Sequence, residues 1–130
     1  MIVVDASVLV EVLLRTAAAP DIERRLLYSG ASLCAPQMLD LEVAQALRRY
    51  CASGEVNVAR GQEALDDLAD LPIARYDHVA LLPRIWSLRQ NMTAYDAAYV
   101  ALAEALNVAL VTCDRRLAAA PGHAVFIEVL

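Results

Sequence analysis

Five short apolar runs, separated by longer stretches rich in Ala and Leu, constrain what this chain can fold into more than anything else in it. Met1 to Val4 is wholly apolar, and a second run lies at Val108 to Thr112, with weaker ones at Ser32 to Ala35, Pro72 to Arg75 and Val125 to Val129. Continuous rather than alternating hydrophobicity suits strands covered on both faces. The segments between them carry helical spacing over Val8–Leu14, Asp21–Ser29, Met38–Ala52, Val58–Leu71, His78–Arg89 and Thr93–Leu106. Strands alternating with helices imply an α/β fold, a central parallel sheet flanked by helices. Pro20, Ser53 with Gly54, Pro72, and Pro121 with Gly122 punctuate the pattern as turns and helix ends would. No linker, repeat or low-complexity tract interrupts it, so residues 1–130 read as a single domain.

A chain of 130 residues, 59% of them hydrophobic, can remove about two thirds of its unfolded surface from water. A core of that size needs no disulfides. The three cysteines, Cys34, Cys51 and Cys113, are an odd number without CxxC spacing, which fits reduced thiols in a cytosol and excludes zinc held by paired cysteines. No apolar run approaches the roughly 20 residues that span a bilayer, and the amino terminus lacks a basic leader. These features predict a soluble, cytoplasmic protein without a membrane partner.

The acids carry the chemistry. Asp5 directly follows the first strand, and Asp114 directly follows the run that ends in Val111, Thr112 and Cys113. Both therefore sit at carboxyl ends of strands, the edge above which open α/β sheets bind ligands. A helix joining parallel strands begins on that same edge, which brings Glu42 and Asp96 there from the first turns of their helices. Asp96 shares a helical face with Tyr99, Val100 and Ala103, so its carboxylate heads an apolar stripe, a costly place for a charge without compensation. Glu42 borders the stripe of Leu39, Val43, Ala46, Leu47 and Tyr50. Taken singly, Asp5 and Asp114 read equally well as helix caps, Thr93 with Asp96 as a capped helix start, and Glu42 as a solvated neighbour of the core. Together they are harder to explain that way. Like charges about 5 Å apart repel by roughly 3 kcal/mol at an effective dielectric of about 20, so a gathering of carboxylates needs a cation.

Carboxylates without neighbouring His or Cys select a hard ion, Mg²⁺ or Mn²⁺. Such ions activate water for in-line attack on phosphorus, and they allow an acidic rim to accept a phosphodiester. That removes the objection raised by the net charge of -5, which by itself argues against a nucleic-acid partner. Every basic residue is Arg and none is Lys. The doublets Arg24–Arg25, Arg48–Arg49 and Arg115–Arg116 read either as ion-pair partners on solvated faces or as phosphate contacts.

At these residues the chain resembles the PIN-domain ribonucleases, and within them the VapC toxins of bacterial VapBC toxin-antitoxin pairs. IVVDASVLVEVLL at Ile2–Leu14 is similar to the family's first acidic motif, with Asp5 and the hydroxyl of Ser7. APQMLDLEVAQALRR at Ala35–Arg49 resembles the second, with Glu42; TAYDAAYVALAEAL at Thr93–Leu106 the third, with Asp96; and LVTCDRRL at Leu110–Leu117 the fourth, with Asp114. The likeness runs nearly end to end. It implies a PIN-like three-layer sandwich and a Mg²⁺- or Mn²⁺-dependent endoribonuclease that cuts structured cellular RNA such as tRNA or rRNA. It also implies a homodimer inhibited by a cognate VapB antitoxin. By the same likeness Asp5 and Asp96 are direct metal ligands, Asp114 and Glu42 complete the site directly or through water, and Ser7 and Thr112 orient them.

Other residues do not settle into the pattern. Glu11 lies near the motif acids, and helical phase turns Asp40 away from Glu42 into solvent. His78 and His123 read as loop or surface residues. Tyr28, Tyr50, Tyr76, Tyr95, Tyr99 and Trp86 offer stacking surfaces for bases, but their helical spacing favours core or dimer packing. With no Lys, RNA recognition leans on shape and a few Arg contacts. The high apolar content leaves surface for another copy or an antitoxin peptide.

Two other enzyme-like folds gather acids at a strand edge. Haloacid-dehalogenase phosphatases place a second Asp two residues after the first, where this chain has Ser7, and they use a Lys that it lacks; receiver domains need a Lys as well. A degenerate scaffold that binds RNA or protein without cutting has no use for all four acids.

Overall fold

The computed structural model describes residues 1–130. Its strands are β1 (Ile2–Val4), β2 (Leu33–Pro36), β3 (Ile73–Tyr76), β4 (Leu110–Thr112) and β5 (Ile127–Val129). They form one sheet in the order β3-β2-β1-β4-β5, every pair parallel. β1, β2 and β4 are buried along their whole length, as their unbroken hydrophobicity requires. No helix is long and apolar enough to cross a membrane.

Seven helices join the strands: α1 (Ala6–Leu13), α2 (Ala19–Leu27), α3 (Leu39–Ser53), α4 (Val58–Asp70), α5 (Leu82–Ser87), α6 (Ala94–Leu106) and α7 (Arg115–Ala119). α1 packs on α2, α3 and α4, while α5 packs on α6, which lies along β1, β2 and β4. This is the three-layer sandwich expected from the resemblance. α6 carries an unbroken buried run from Ala97 to Ala103, and it belongs to one core cluster with β1, β2, β4, α1 and α3. α3 ends at Gly54, whose φ of 80° is the left-handed cap that glycine adopts without penalty.

Two departures from the periodic reading trace to proline. α2 starts at Ala19, with Pro20 inside its first turn rather than ahead of it, because a first-turn proline gives up an N–H that no carbonyl awaits. The helix expected over His78–Arg89 is a 3₁₀ turn (Val79–Leu81) followed by the short α5. Pro83 has no N–H for the Val79 carbonyl, which instead takes the Leu82 N–H in the tighter pattern.

The solvated reading of Asp40 holds in part: its side chain is 41% exposed, and its carboxylate pairs bidentately with Arg75 of β3, at 2.7 and 2.8 Å. His123 is only partly a surface residue. Its Nδ1 accepts the Val125 N–H and its Nε2 is enclosed without a partner. The arginine doublets divide: Arg25 pairs with Glu128, Arg24 with Asp21, and Arg116 with Asp114. The three cysteines are free thiols.

Candidate active site

The site is built where the chain changes direction across the sheet. β1 connects to β2 and β3 on one side, while β4 and β5 lie on its other side, which makes the β1/β4 boundary the topological switch point. Asp5 leaves β1 there, and Thr112 ends β4 beside it.

Asp5 is 7% exposed and heavily braced. Ser7 Oγ donates to its Oδ1 at 2.5 Å, Thr112 Oγ1 donates to its Oδ2 at 2.5 Å, and the Val8 N–H reaches Oδ1 at 3.3 Å. Asp5 is thus the cap of α1 that it resembled in sequence and a cleft acid at once. A carboxylate offers about four acceptor positions, so one remains for a ligand. Burial raises the Asp5 pKa above its ordinary value, and the hydroxyl bonds oppose that rise.

The hydroxyls bind one strand end to the other. Thr112 Oγ1 accepts the Asp114 N–H at 2.9 Å, and Ser7 Oγ accepts the Cys113 N–H at 2.9 Å. Asp114 in turn caps α7 through the Arg116 N–H at 2.9 Å. Asp96 sits in the first turn of α6, where Thr93 Oγ1 accepts its N–H at 3.1 Å. Burial and then the nearby Asp114 raise its pKa. Glu42, in the first turn of α3, accepts a hydrogen bond from Tyr99 Oη at 2.6 Å. Its pKa is raised by burial first and then by the charges of Asp5 and Asp96, against the Tyr99 bond.

Asp5, Glu42, Asp96 and Asp114 line one cleft of about 690 Å³, together with Ser7, Glu11, Arg49, Tyr50, Glu55, Tyr99, Cys113 and Arg116. Tyr99 is a contributor for which helical spacing favours packing over a role in the site. Its position three residues after Asp96, on the same helical face, was the available signal. Burial and the Glu42 bond push its phenol far up, so it stays a donor at any working pH. Glu55 carried no signal, because it belongs to the loop after α3.

The donor set is almost entirely carboxylate and hydroxyl oxygen, which suits a hard divalent ion. No three of the His, Cys, Asp and Glu side chains close around a single point. An ion that keeps several waters and takes one or two carboxylates asks for no tighter cage.

The raised acids make the cleft a source of instability when no cation is present. A carboxyl whose folded pKa exceeds its unfolded one costs nothing below the unfolded value and its full amount above the folded one. Glu42→Gln keeps an oxygen for Tyr99 and removes the charge. In EDTA at neutral pH this variant is expected to melt at a higher temperature than the unaltered chain, and the gap should close as pH falls through the carboxyl range. Thermal melts monitored by circular dichroism between pH 3 and 8 check both the sign and the window.

Comparison with known proteins gives the family. The PIN-domain family model matches residues 2–122. Ribonuclease VapC1 of Mycobacterium tuberculosis is 48% identical over 121 residues, which cover 92% of this chain and 90% of that protein. Among solved structures, PAE2754 from Pyrobaculum aerophilum superposes with a TM-score of 0.75 at 23% identity, over 99% of this chain and 83% of that one. VapBC2 from Rickettsia felis, bound to a DNA fragment from its promoter, gives 0.70 at 16% identity over 98% of each chain. The chain belongs to the PIN-domain family and, within it, to the VapC ribonucleases.

Proposed function

We propose that the chain is a VapC-type toxin: a Mg²⁺- or Mn²⁺-dependent endoribonuclease acting on structured cellular RNA such as tRNA or rRNA. The observation that carries this reading is the cleft at the β1/β4 switch point, lined by Asp5, Glu42, Asp96 and Asp114. Asp5 and Asp96 hold the cation, with Asp114 and Glu42 completing its surroundings directly or through water. When bound, a divalent ion supplies an activated water and offsets the charge of the phosphodiester.

The chain's own groups do the positioning. Ser7 and Thr112 fix both oxygens of Asp5, Thr112 also ties Asp114 to the end of β4, and Tyr99 orients Glu42. Arg49 and Arg116 stand on the cleft wall, where a phosphate on either side of the scissile one passes. A phosphatase mechanism is disfavoured by the residues that surround Asp5 in sequence. That mechanism calls for a second Asp two residues after the first and a Lys, and this chain has Ser7 there and no Lys.

Complexes between VapB and VapC proteins among the structural relatives support a VapB-type antitoxin as inhibitor. Exposed Tyr28, Val79 and Trp86 offer apolar surface for that partner and for a homodimer, in the cytoplasm. The purified chain, free of antitoxin, is expected to cleave RNA with Mg²⁺ or Mn²⁺, to lose all activity in EDTA and to release no phosphate from small monoesters. Gel electrophoresis of total RNA and a phosphate-release assay check these outcomes. Cleavage undiminished by EDTA would overturn the mechanism.

A further inference from the structure

An apolar shelf adjoins the acidic cleft. It is a groove of about 310 Å³ lined by Met38, Leu41, Glu42, Gln45, Arg49 and Tyr95, and Glu42 and Arg49 also line the cleft. Tyr95 and Leu41 are 64% and 75% exposed. Each immediately precedes a cleft acid on its helix, Tyr95 before Asp96 on α6 and Leu41 before Glu42 on α3. A step of about 100° along a helix turns both side chains off the acids and onto the neighbouring wall. The aromatic and apolar groups of the shelf therefore stand one residue from the metal-binding carboxylates, with a guanidinium between the two surfaces.

We propose that this shelf is a nucleobase subsite: a base next to the scissile phosphate stacks on the Tyr95 ring, with Leu41 and Met38 as its apolar floor. Arg49, common to shelf and cleft, contacts the phosphate that joins that nucleotide to the scissile one. The inference rests on the nuclease reading. A phosphodiester held at the acids keeps its flanking bases within one nucleotide of the cleft, and the shelf is the apolar wall that continues from it. Electrostatics alone gives this chain little hold on RNA, because it has no Lys and a net charge of -5. Stacking on an aromatic ring contributes about tenfold to a hundredfold in affinity per base and tolerates any base.

The test uses Tyr95→Ala and Tyr95→Phe in the full chain. Tyr95→Ala is expected to raise KM for an oligoribonucleotide spanning the mapped cleavage site about tenfold to a hundredfold, with kcat changed far less. Tyr95→Phe, which keeps the ring, is expected to restore the original KM. In an Asp96→Asn background, chosen because cleavage is expected to be too slow to interfere, 2-aminopurine placed in turn on each side of the scissile bond should be quenched at one position. That quenching should vanish with Tyr95→Ala and persist with Tyr95→Phe. An unchanged KM overturns the inference, as does a Phe variant that fails like the Ala one. Conversion of a dimer to a monomer by Tyr95→Ala in sedimentation would assign the shelf to a second copy and overturn it as well. If the unaltered chain cuts no RNA with Mg²⁺ or Mn²⁺, the nuclease reading fails and this inference with it; cutting that ignores Tyr95 removes the inference alone.

Discussion

Asp96→Asn is expected to slow divalent-dependent RNA cleavage about a thousandfold while leaving the fold intact. The carboxylate lies half-buried in the first turn of α6, and its pKa is raised by burial and by Asp114. That combination makes it a strong site for a cation and a poor one for a bare charge. Asn has the same shape but offers one neutral oxygen, so it cannot hold a cation against its hydration shell. Loss of about 4 kcal/mol of transition-state stabilisation, of the size metal assignment implies, converts to that factor. The backbone cap is untouched, because Thr93 accepts the Asp96 N–H and not a side-chain group. Initial rates on a labelled RNA, with circular dichroism to confirm folding, check the result. A loss smaller than tenfold would overturn the proposed role of Asp96 as a metal ligand.

Thr112→Val is expected to cost about 3 kcal/mol of folding stability as well as activity. Thr112 is completely buried, and its hydroxyl hydrogen-bonds both acidic residues of the strand ends. It donates to Asp5 Oδ2 at 2.5 Å and accepts the Asp114 N–H at 2.9 Å. Valine fills the same space. It removes a hydrogen bond to a charged group, roughly 1.5–3 kcal/mol, and leaves a backbone N–H without its acceptor, roughly 1–3 kcal/mol. Against a total stability of about 5–15 kcal/mol for a domain of this kind, that is a large share. Thr112→Ser keeps the hydroxyl and loses only a methyl group, about 1 kcal/mol. Urea denaturation of the two variants separates the hydrogen bonds from the packing. Equal losses in both would mean that the hydroxyl braces nothing.

The parts of the site that were legible from the chain alone are those set by neighbours in sequence. Asp5 and Asp114 announce themselves by following apolar runs, and Thr93 announces the start of α6 three residues before its N–H partner. Helix polarity then brings Glu42 and Asp96 to the same edge. Less legible were the roles that depend on contact between distant segments. Tyr99 reads as a stripe residue until the fold brings Glu42 to its hydroxyl, and the ion pair of Asp40 is invisible until β3 delivers Arg75 to it. The break between Val79 and Pro83 was missed for a different reason. The hydrophobic pattern continues smoothly through it, while the missing proline N–H is a backbone effect that side-chain periodicity does not report.

The sequence by itself determined the element types, the parallel sheet and the strand-edge placement of the acids, because each depends on side-chain periodicity within a dozen residues. Only the tertiary structure decided that β4 lies against β1, so that Thr112 bridges Asp5 and Asp114, and that an apolar shelf carrying Tyr95 opens from the same cleft. Strand order and helix-to-helix contact arise from the packing of one shared core, whose free energy belongs to no single segment of the chain.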